Sequence, residues 1–100
     1  MLGELKDHKN SYEEIIFKSE FELNNLNNEL KIIDRQIEMI DNFSHPHKKA
    51  LEAVIKEQLK NKKKNTKEKI EEHENKKKNA QNNIDATSVL EGIINNFDER

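Results

Sequence analysis

The chain contains no cysteine and no tryptophan, and it has only two glycines and one proline among its 100 residues. Without cysteine there are neither disulfides nor thiolate metal sites. Because glycine and proline are so scarce, strands joined by several tight turns are not expected. No run of apolar residues is longer than three, as in Ile15–Phe17. We therefore expect no membrane insertion and no signal-peptide core, and hence a cytoplasmic protein.

The composition is strongly polar. Charged residues make up 38% of the chain, hydrophobic residues 32% and aromatic residues 5%, and the mean hydropathy is -1.11. A compact core needs more apolar mass than this, whereas a pair of helices that buries only a stripe needs less. Intrinsic disorder is the alternative interpretation of such polarity.

A heptad pattern in the first forty residues argues against disorder there. Residues taken in alternate steps of three and four are apolar at ten of twelve positions. Such a seam is typical of a helix that packs against another helix. Its members are Leu2, Leu5, Lys9, Tyr12, Ile16, Ser19, Leu23, Leu26, Leu30, Ile33, Ile37 and Ile40. We predict that the core or a partner-binding surface is formed by Ile16, Leu23, Leu26, Leu30, Ile33, Ile37 and Ile40. Phe17 and Phe21 lie off the seam, and two interpretations stay open for them: a satellite core under the third helix or scattered exposed residues, and a second contact face for oligomerisation or a partner.

The capping residues and the single proline of the chain predict three helices. The first covers residues of about 4–42, with Ser11 as a possible internal cap, and a turn at 43–46 ends it. Pro46 suits the first turn of a second helix, over about 46–84. A capping box at Ser88 predicts a short third helix over about 88–97. The predicted fold is all-α: a single domain, 1–100, forming an antiparallel two-helix coiled-coil hairpin with a short C-terminal third helix.

The two halves of the chain differ in charge. Residues 1–45 carry a net charge of -5 and residues 46–100 a net charge of +3. The acidic residues flank the seam of the first helix, so two copies of that helix would repel each other, whereas a lysine-rich second helix complements them. If the second helix begins at Pro46, the numbers of opposed residues add to about 88. In that register the middle of the first seam meets lysines, which predicts self-association or a protein partner.

Two lysine patches are the candidate phosphate-binding residues. The sequence Asn-Lys-Lys-Lys-Asn occurs at 61–65 and again, two heptads later, at 75–79, so both patches lie on one side of a helix. Binding to nucleic acid is therefore an alternative function. Intervening glutamates and the lack of stacking aromatics favour a solvated helix face instead. The six side chains are Lys62, Lys63, Lys64, Lys76, Lys77 and Lys78.

No catalytic or metal-binding pattern is present in the sequence. His45-Pro46-His47 lacks further ligands nearby, and Ile70 occupies the position where a di-metal bundle needs glutamate three residues before His73. There is no glycine-rich phosphate loop and no arrangement typical of a nucleophile with its base. We expect no enzyme activity, no catalytic or metal-binding residue and no cofactor.

The layout of the chain resembles the small Trp-x-Gly helical hairpin proteins of type VII secretion and their toxin-associated relatives. Those proteins are of similar length, with two long helices and a turn near the middle. Phe43-Ser44-His45 lies where that turn would be, with Phe in place of Trp and His in place of Gly. The C-terminal Tyr-x-x-x-Asp/Glu signal is absent. The resemblance implies a helical partner of a larger secreted protein and export without a signal peptide.

The function predicted from these observations is protein–protein interaction without catalysis, as a small adaptor, inhibitor or chaperone-like subunit that uses the apolar seam. Homo- or hetero-oligomers are expected. The type VII secretion partner and the nucleic-acid-associated protein are the two alternatives.

Overall fold

Two long α-helices account for most of the chain in the computed structural model, which describes residues 2–42 and 46–98. The first, α1, covers Leu2–Asp41. A four-residue helix, α2 (Lys48–Leu51), and a π-helical turn (Glu52–Lys56) lead into α3 (Glu57–Asp98). No strand occurs within the described residues. The predicted all-α class is confirmed.

Helix α1 continues without a break through Ser11, where the sequence left a separate short helix possible. The Ser11 hydroxyl donates a hydrogen bond to the carbonyl oxygen of Asp7, at 3.1 Å, one turn back in the same helix. A hydroxyl satisfied in this way does not cap a new helix. The last turn closes with the Asn42 N–H donating to the Glu38 carbonyl at 3.0 Å.

The return segment begins differently from the prediction. Pro46 and His47 lie in a turn, and helix starts only at Lys48, where His47 makes no side-chain cap hydrogen bond. The π-helical turn then interrupts the segment, and such a turn inserts one extra residue into the helical repeat. The predicted second helix of about 46–84 is therefore wrong at its start. The predicted turn residues 43–45 lie outside the described part of the chain.

The predicted short third helix over about 88–97 is also wrong, because α3 continues unbroken to Asp98. The Thr87 hydroxyl donates back to the carbonyl oxygen of Asn83 at 2.8 Å, so it supports the preceding turn. Neither proline nor a positive backbone φ interrupts this stretch. The local capping signal at Ser88 is overridden by the continuing helix.

The chain divides into two compact units. The terminal unit combines Met1–Glu22 with His73–Arg100, and the turn unit comprises Leu23–Glu72. Each unit contains a segment of α1 and a segment of α3. In the turn unit Asp34 pairs with Lys63, and seven residues further along α1 Asp41 pairs with Lys56. A step forward on α1 matches an equal step back from Lys63 of α3 to Lys56 at the end of the π-helical turn, so the two segments run in opposite directions.

The predicted seam lines the inner side of α1 in the turn unit. Leu26 and Ile33 are buried, and Ile33 is only 1% exposed. Leu23, Leu30, Ile37 and Ile40 are half-buried. Burial of an aliphatic side chain contributes roughly 1.5–3 kcal/mol. These residues are therefore occupied by packing within the unit.

The predicted register is wrong. In the Asp34–Lys63, Asp41–Lys56 and Glu20–Lys77 pairs the two residue numbers add to 97 instead of about 88. The difference arises because the chain does not begin its regular pairing at Pro46. The turn, the short helix α2 and most of the π-helical turn come before the first of these ion pairs, since Lys56 is the last residue of the π-helical turn.

Ile33 offers a direct test of the seam. We expect Ile33→Ala to lower the free energy of unfolding by about 2–4 kcal/mol, because the cavity left beneath a fully buried side chain adds to the lost transfer energy. The adjacent Ile32 is 59% exposed, and Ile32→Ala should change stability by no more than about 0.5 kcal/mol. Urea unfolding followed by circular dichroism at 222 nm measures both. Equal losses in the two variants would contradict the assignment.

The register is testable by cross-linking, since the chain has no native cysteine. We expect the pair Asp34→Cys and Lys63→Cys to react intramolecularly with a short bifunctional maleimide, because the two native side chains form an ion pair at 2.6 Å. The control pair, Asp34→Cys and Val54→Cys, corresponds to the register calculated from Pro46. If the control pair reacts preferentially, at dilutions that suppress intermolecular products, the register calculated from Pro46 is correct and the register seen in the structure is wrong.

Candidate interaction surfaces

Lysines of α3 meet the acidic flank of α1. Lys63 reaches Asp34 at 2.6 Å and Lys62 reaches Glu29 at 3.9 Å in the turn unit. In the terminal unit Lys77 reaches Glu20 at 3.1 Å. The sequence predicted this pairing of acidic and basic helices, and these contacts confirm it within the chain.

Lys63 and Lys77 belong to a buried face of α3 that sequence reasoning missed. Reduced exposure recurs along α3 in alternate steps of three and four, as it does along α1. Most of these positions are polar, so a search for apolar residues does not find them. Continuing the steps of three and four along the chain from Leu59 would have found them. From the first turn of α3 to residue 87 the members are Leu59, Lys63, Thr66, Ile70, His73, Lys77, Ala80, Ile84 and Thr87.

The threonines on this face are compatible with burial because their hydroxyls are satisfied locally. Thr66 and Thr87 are buried. The Thr66 hydroxyl donates to the carbonyl oxygen of Lys62 at 2.9 Å, and Thr87 makes the corresponding bond to Asn83. Each threonine can then pack its methyl group without leaving a polar atom unpaired. Two other buried polar atoms, His73 Nδ1 and Glu91 Oε1, have no hydrogen-bond partner in the described part of the chain.

Asp41 and Lys56 form the ion pair next to the turn. A hydrogen bond from Lys56 to the Asp41 carboxylate lowers the pKa of Asp41 below its ordinary value of 3.8, and the same bond raises the pKa of Lys56 above 10.5. Lys48 donates to the main-chain carbonyl of Asp41 at 2.9 Å. The C-terminal end of α1 is therefore held by two lysines of the return segment, at the end where a helix carries partial negative charge.

We expect the contribution of the Asp41–Lys56 pair to the free energy of unfolding to depend on pH. Because the folded-state pKa of Asp41 is lowered, its contribution is present above about pH 4 and is lost as the pH falls through the folded value. Because that of Lys56 is raised, its contribution is present below about pH 10.5 and is lost as the pH rises through the folded value. Asp41→Asn should therefore lower the melting temperature between about pH 5 and pH 10, and the difference from wild type should vanish in acid.

Glu38→Gln is the matched control for this measurement. It removes one negative charge from the same end of α1, at an exposed residue without an ion pair among the described residues. Removing negative charge at a helix C-terminus is neutral or favourable in itself. A melting temperature of Asp41→Asn equal to or above that of Glu38→Gln at neutral pH would show that the pair contributes nothing.

The two lysine patches are not uniform cationic surfaces. Lys62, Lys63 and Lys77 are engaged with carboxylates, while Lys64 and Lys78 are exposed. Lys76 also has an interaction partner. A shallow groove beside the first patch is lined by lysines but also by Glu68 and Glu71. Much of the positive charge is thus offset by acidic side chains, which weakens attraction for a polyanion.

Phe17 and Phe21 lie on the outer side of α1 in the terminal unit. Their side chains are 71% and 60% exposed, one turn apart. Together with Lys18 and Glu22 they line an open depression of about 450 Å³. Lys18 is held at 3.0 Å by Glu14 on the same helix. Of the residues predicted to form the core or a contact face, these two are the ones left open to solvent, while Ile16 is half-buried on the inner side.

A second depression of the terminal unit lies between its two helical segments. It has a volume of about 450 Å³, and Tyr12 and Ile15 contribute from α1. The α3 side is formed by Lys76, Asn79, Ala80 and Asn83. Apart from Lys76 its lining is uncharged. Further along α3 the exposed apolar side chains are Val89, Leu90, Ile93 and Phe97, in the segment that the sequence analysis assigned to a separate helix.

The described residues contain no group of three or more histidines, aspartates and glutamates that could hold a metal ion. His45 of the His45-Pro46-His47 motif lies outside the described residues. Of the helices that the structure describes, none has the length and apolarity needed to cross a membrane.

Comparison with known proteins finds no matching family model, no matching curated protein and no matching solved structure. Phe43, Ser44 and His45, which carry the resemblance to the type VII secretion hairpins, lie outside the described residues.

Proposed function

We propose that this chain is a non-enzymatic helical protein–protein interaction module built from antiparallel coiled-coil pairs, and that Phe17 and Phe21 form its docking surface. The partner is an amphipathic helix of another protein, which would cover the two rings with its apolar side. Recognition of this kind uses anchors spaced one helical turn apart, as these two phenylalanines are.

The exposure of large apolar side chains supports the proposal. Among the described residues twelve large hydrophobic side chains are exposed, whereas four hydrophobic residues are buried. Isolated exposed apolar residues are ordinary on a protein surface, but neighbouring aromatic side chains are enriched where partners bind. Phe17 and Phe21 adjoin each other and share one depression.

The immediate surroundings of the two rings support a protein partner. Lys18 and Glu22 flank the two rings, so the rim of the surface carries both signs of charge. An apolar centre with a mixed polar rim is the usual organisation of a protein interface. A nucleic acid would need an uninterrupted basic surface, and the acidic side chains among the lysines of α3 argue against one.

We expect the double variant Phe17→Gln, Phe21→Gln to lose a bound protein that wild type retains. Loss of two interface phenylalanines should weaken binding by at least about a hundredfold, since each contributes roughly 1.5–3 kcal/mol when buried. The tagged full chain is used for affinity purification from the native cells, with quantitative mass spectrometry. A protein that depends on the two rings is then purified and titrated calorimetrically.

The matched control is Val54→Gln, Ile55→Gln, which also replaces two exposed apolar side chains, here in the π-helical turn. It should retain the partner. A partner retained equally by both double variants would place the docking surface elsewhere. Saturable binding of RNA or DNA at physiological salt, with no protein enriched, would favour the nucleic-acid alternative.

A further inference from the structure

The C-terminal part of α3 carries an apolar stripe distinct from its buried face. Val89, Leu90, Ile93 and Phe97 are all exposed, and Phe97 is 69% exposed. Their spacing of three and four residues places them on one side of the helix. The inward-facing residues of the same stretch are Thr87, Glu91 and Ile94. At about 100° per residue the stripe lies roughly a third of a turn away from them.

The stripe is part of a longer face without charge. At helical spacing the same side of α3 carries no charged residue, and its only polar side chains are asparagines. Its members are Asn79, Asn83, Ala86, Leu90, Ile93 and Phe97. Asn79 and Asn83 of this face also line the depression beside Tyr12 and Ile15. The acidic flank of α1 and the lysine-rich middle of α3 differ from it, because two copies of either would meet with like charges opposed.

We infer that this uncharged face, centred on Leu90, Ile93 and Phe97, is where a second copy of the chain docks. In a two-fold dimer the same patch faces itself, so any net charge on it would be repelled by its own image. This face meets that requirement. A strongly charged partner would have no oppositely charged residue to pair with on this face. The inference does not depend on the surface formed by Phe17 and Phe21.

The available area indicates how strong the dimer is. Burying four or five apolar side chains on each copy removes about 1,000 Å² of surface in total, which is at the lower end of specific interfaces. We therefore expect a reversible dimer with a dissociation constant on the order of micromolar. Its population should increase over the concentration range of an ordinary sedimentation experiment.

Phe97→Gln and Phe17→Gln form a matched pair for the test. Both replace an exposed phenylalanine of the terminal unit, 69% and 71% exposed, by the same neutral helix-forming residue. Sedimentation equilibrium of the full chain should show wild type and Phe17→Gln approaching twice 11.8 kDa with rising concentration. Phe97→Gln should dimerise about tenfold to a hundredfold more weakly. Far-UV circular dichroism shows whether both variants retain their helix content.

A cross-link provides a readout that does not depend on a destabilising variant. Ile93→Cys should form an intermolecular disulfide under mild oxidation, whereas Ser88→Cys, an exposed position on another side of α3, should do so much less. A monomeric wild type at every concentration, or equal loss of dimer in Phe97→Gln and Phe17→Gln, would overturn the inference. The proposed function would still stand if the partner retained by wild type were lost only from the Phe17→Gln, Phe21→Gln variant.

Discussion

The structure depends on a contact between an apolar seam and a lysine-containing one. Leucine and isoleucine line the inner side of α1, whereas lysines and threonines occupy much of the inner side of α3. A lysine suits a position opposite an apolar seam, since its methylene stem covers apolar surface while its ammonium group reaches the solvent-exposed edge of the contact. The acidic flank of α1 lies at that edge, where Asp34 and Glu20 receive Lys63 and Lys77.

In this arrangement the apolar contacts and the ion pairs have different roles. Leucine and isoleucine recur at so many heptad positions of α1 that a slip of seven residues would preserve most apolar contacts. The ion pairs, in contrast, would be disrupted by the same slip. In the turn unit it would move Lys63 from Asp34 to Asn27 in one direction, and in the other it would carry Lys56 beyond the end of α1. Exposed pairs stabilise little individually, but together they favour one register.

The sequence allowed the helical class, the seam of α1 and the acidic–basic complementarity to be predicted, because each follows from residue type at a fixed spacing. The register could not be predicted, since it depends on how many residues the return consumes, and the π-helical turn at Glu52–Lys56 has no clear local signal. The inner face of α3 was missed because Thr66 and Thr87 are classed as polar by composition, although their hydroxyls are satisfied within the helix. The Ser88 capping box indicated a helix start that the continuing helix overrides.

The terminal unit has two outer surfaces with different physical character. Phe17 and Phe21 lie between side chains of both charges, so they suit a partner that supplies a complementary polar rim. The stripe around Phe97 has no charge along its length, so it suits a copy of itself. Phe17 and Phe97 are almost equally exposed, and exposure alone therefore cannot assign them a role. The charge of the neighbouring residues distinguishes them, because charge is what an identical surface must avoid and a dissimilar partner can match.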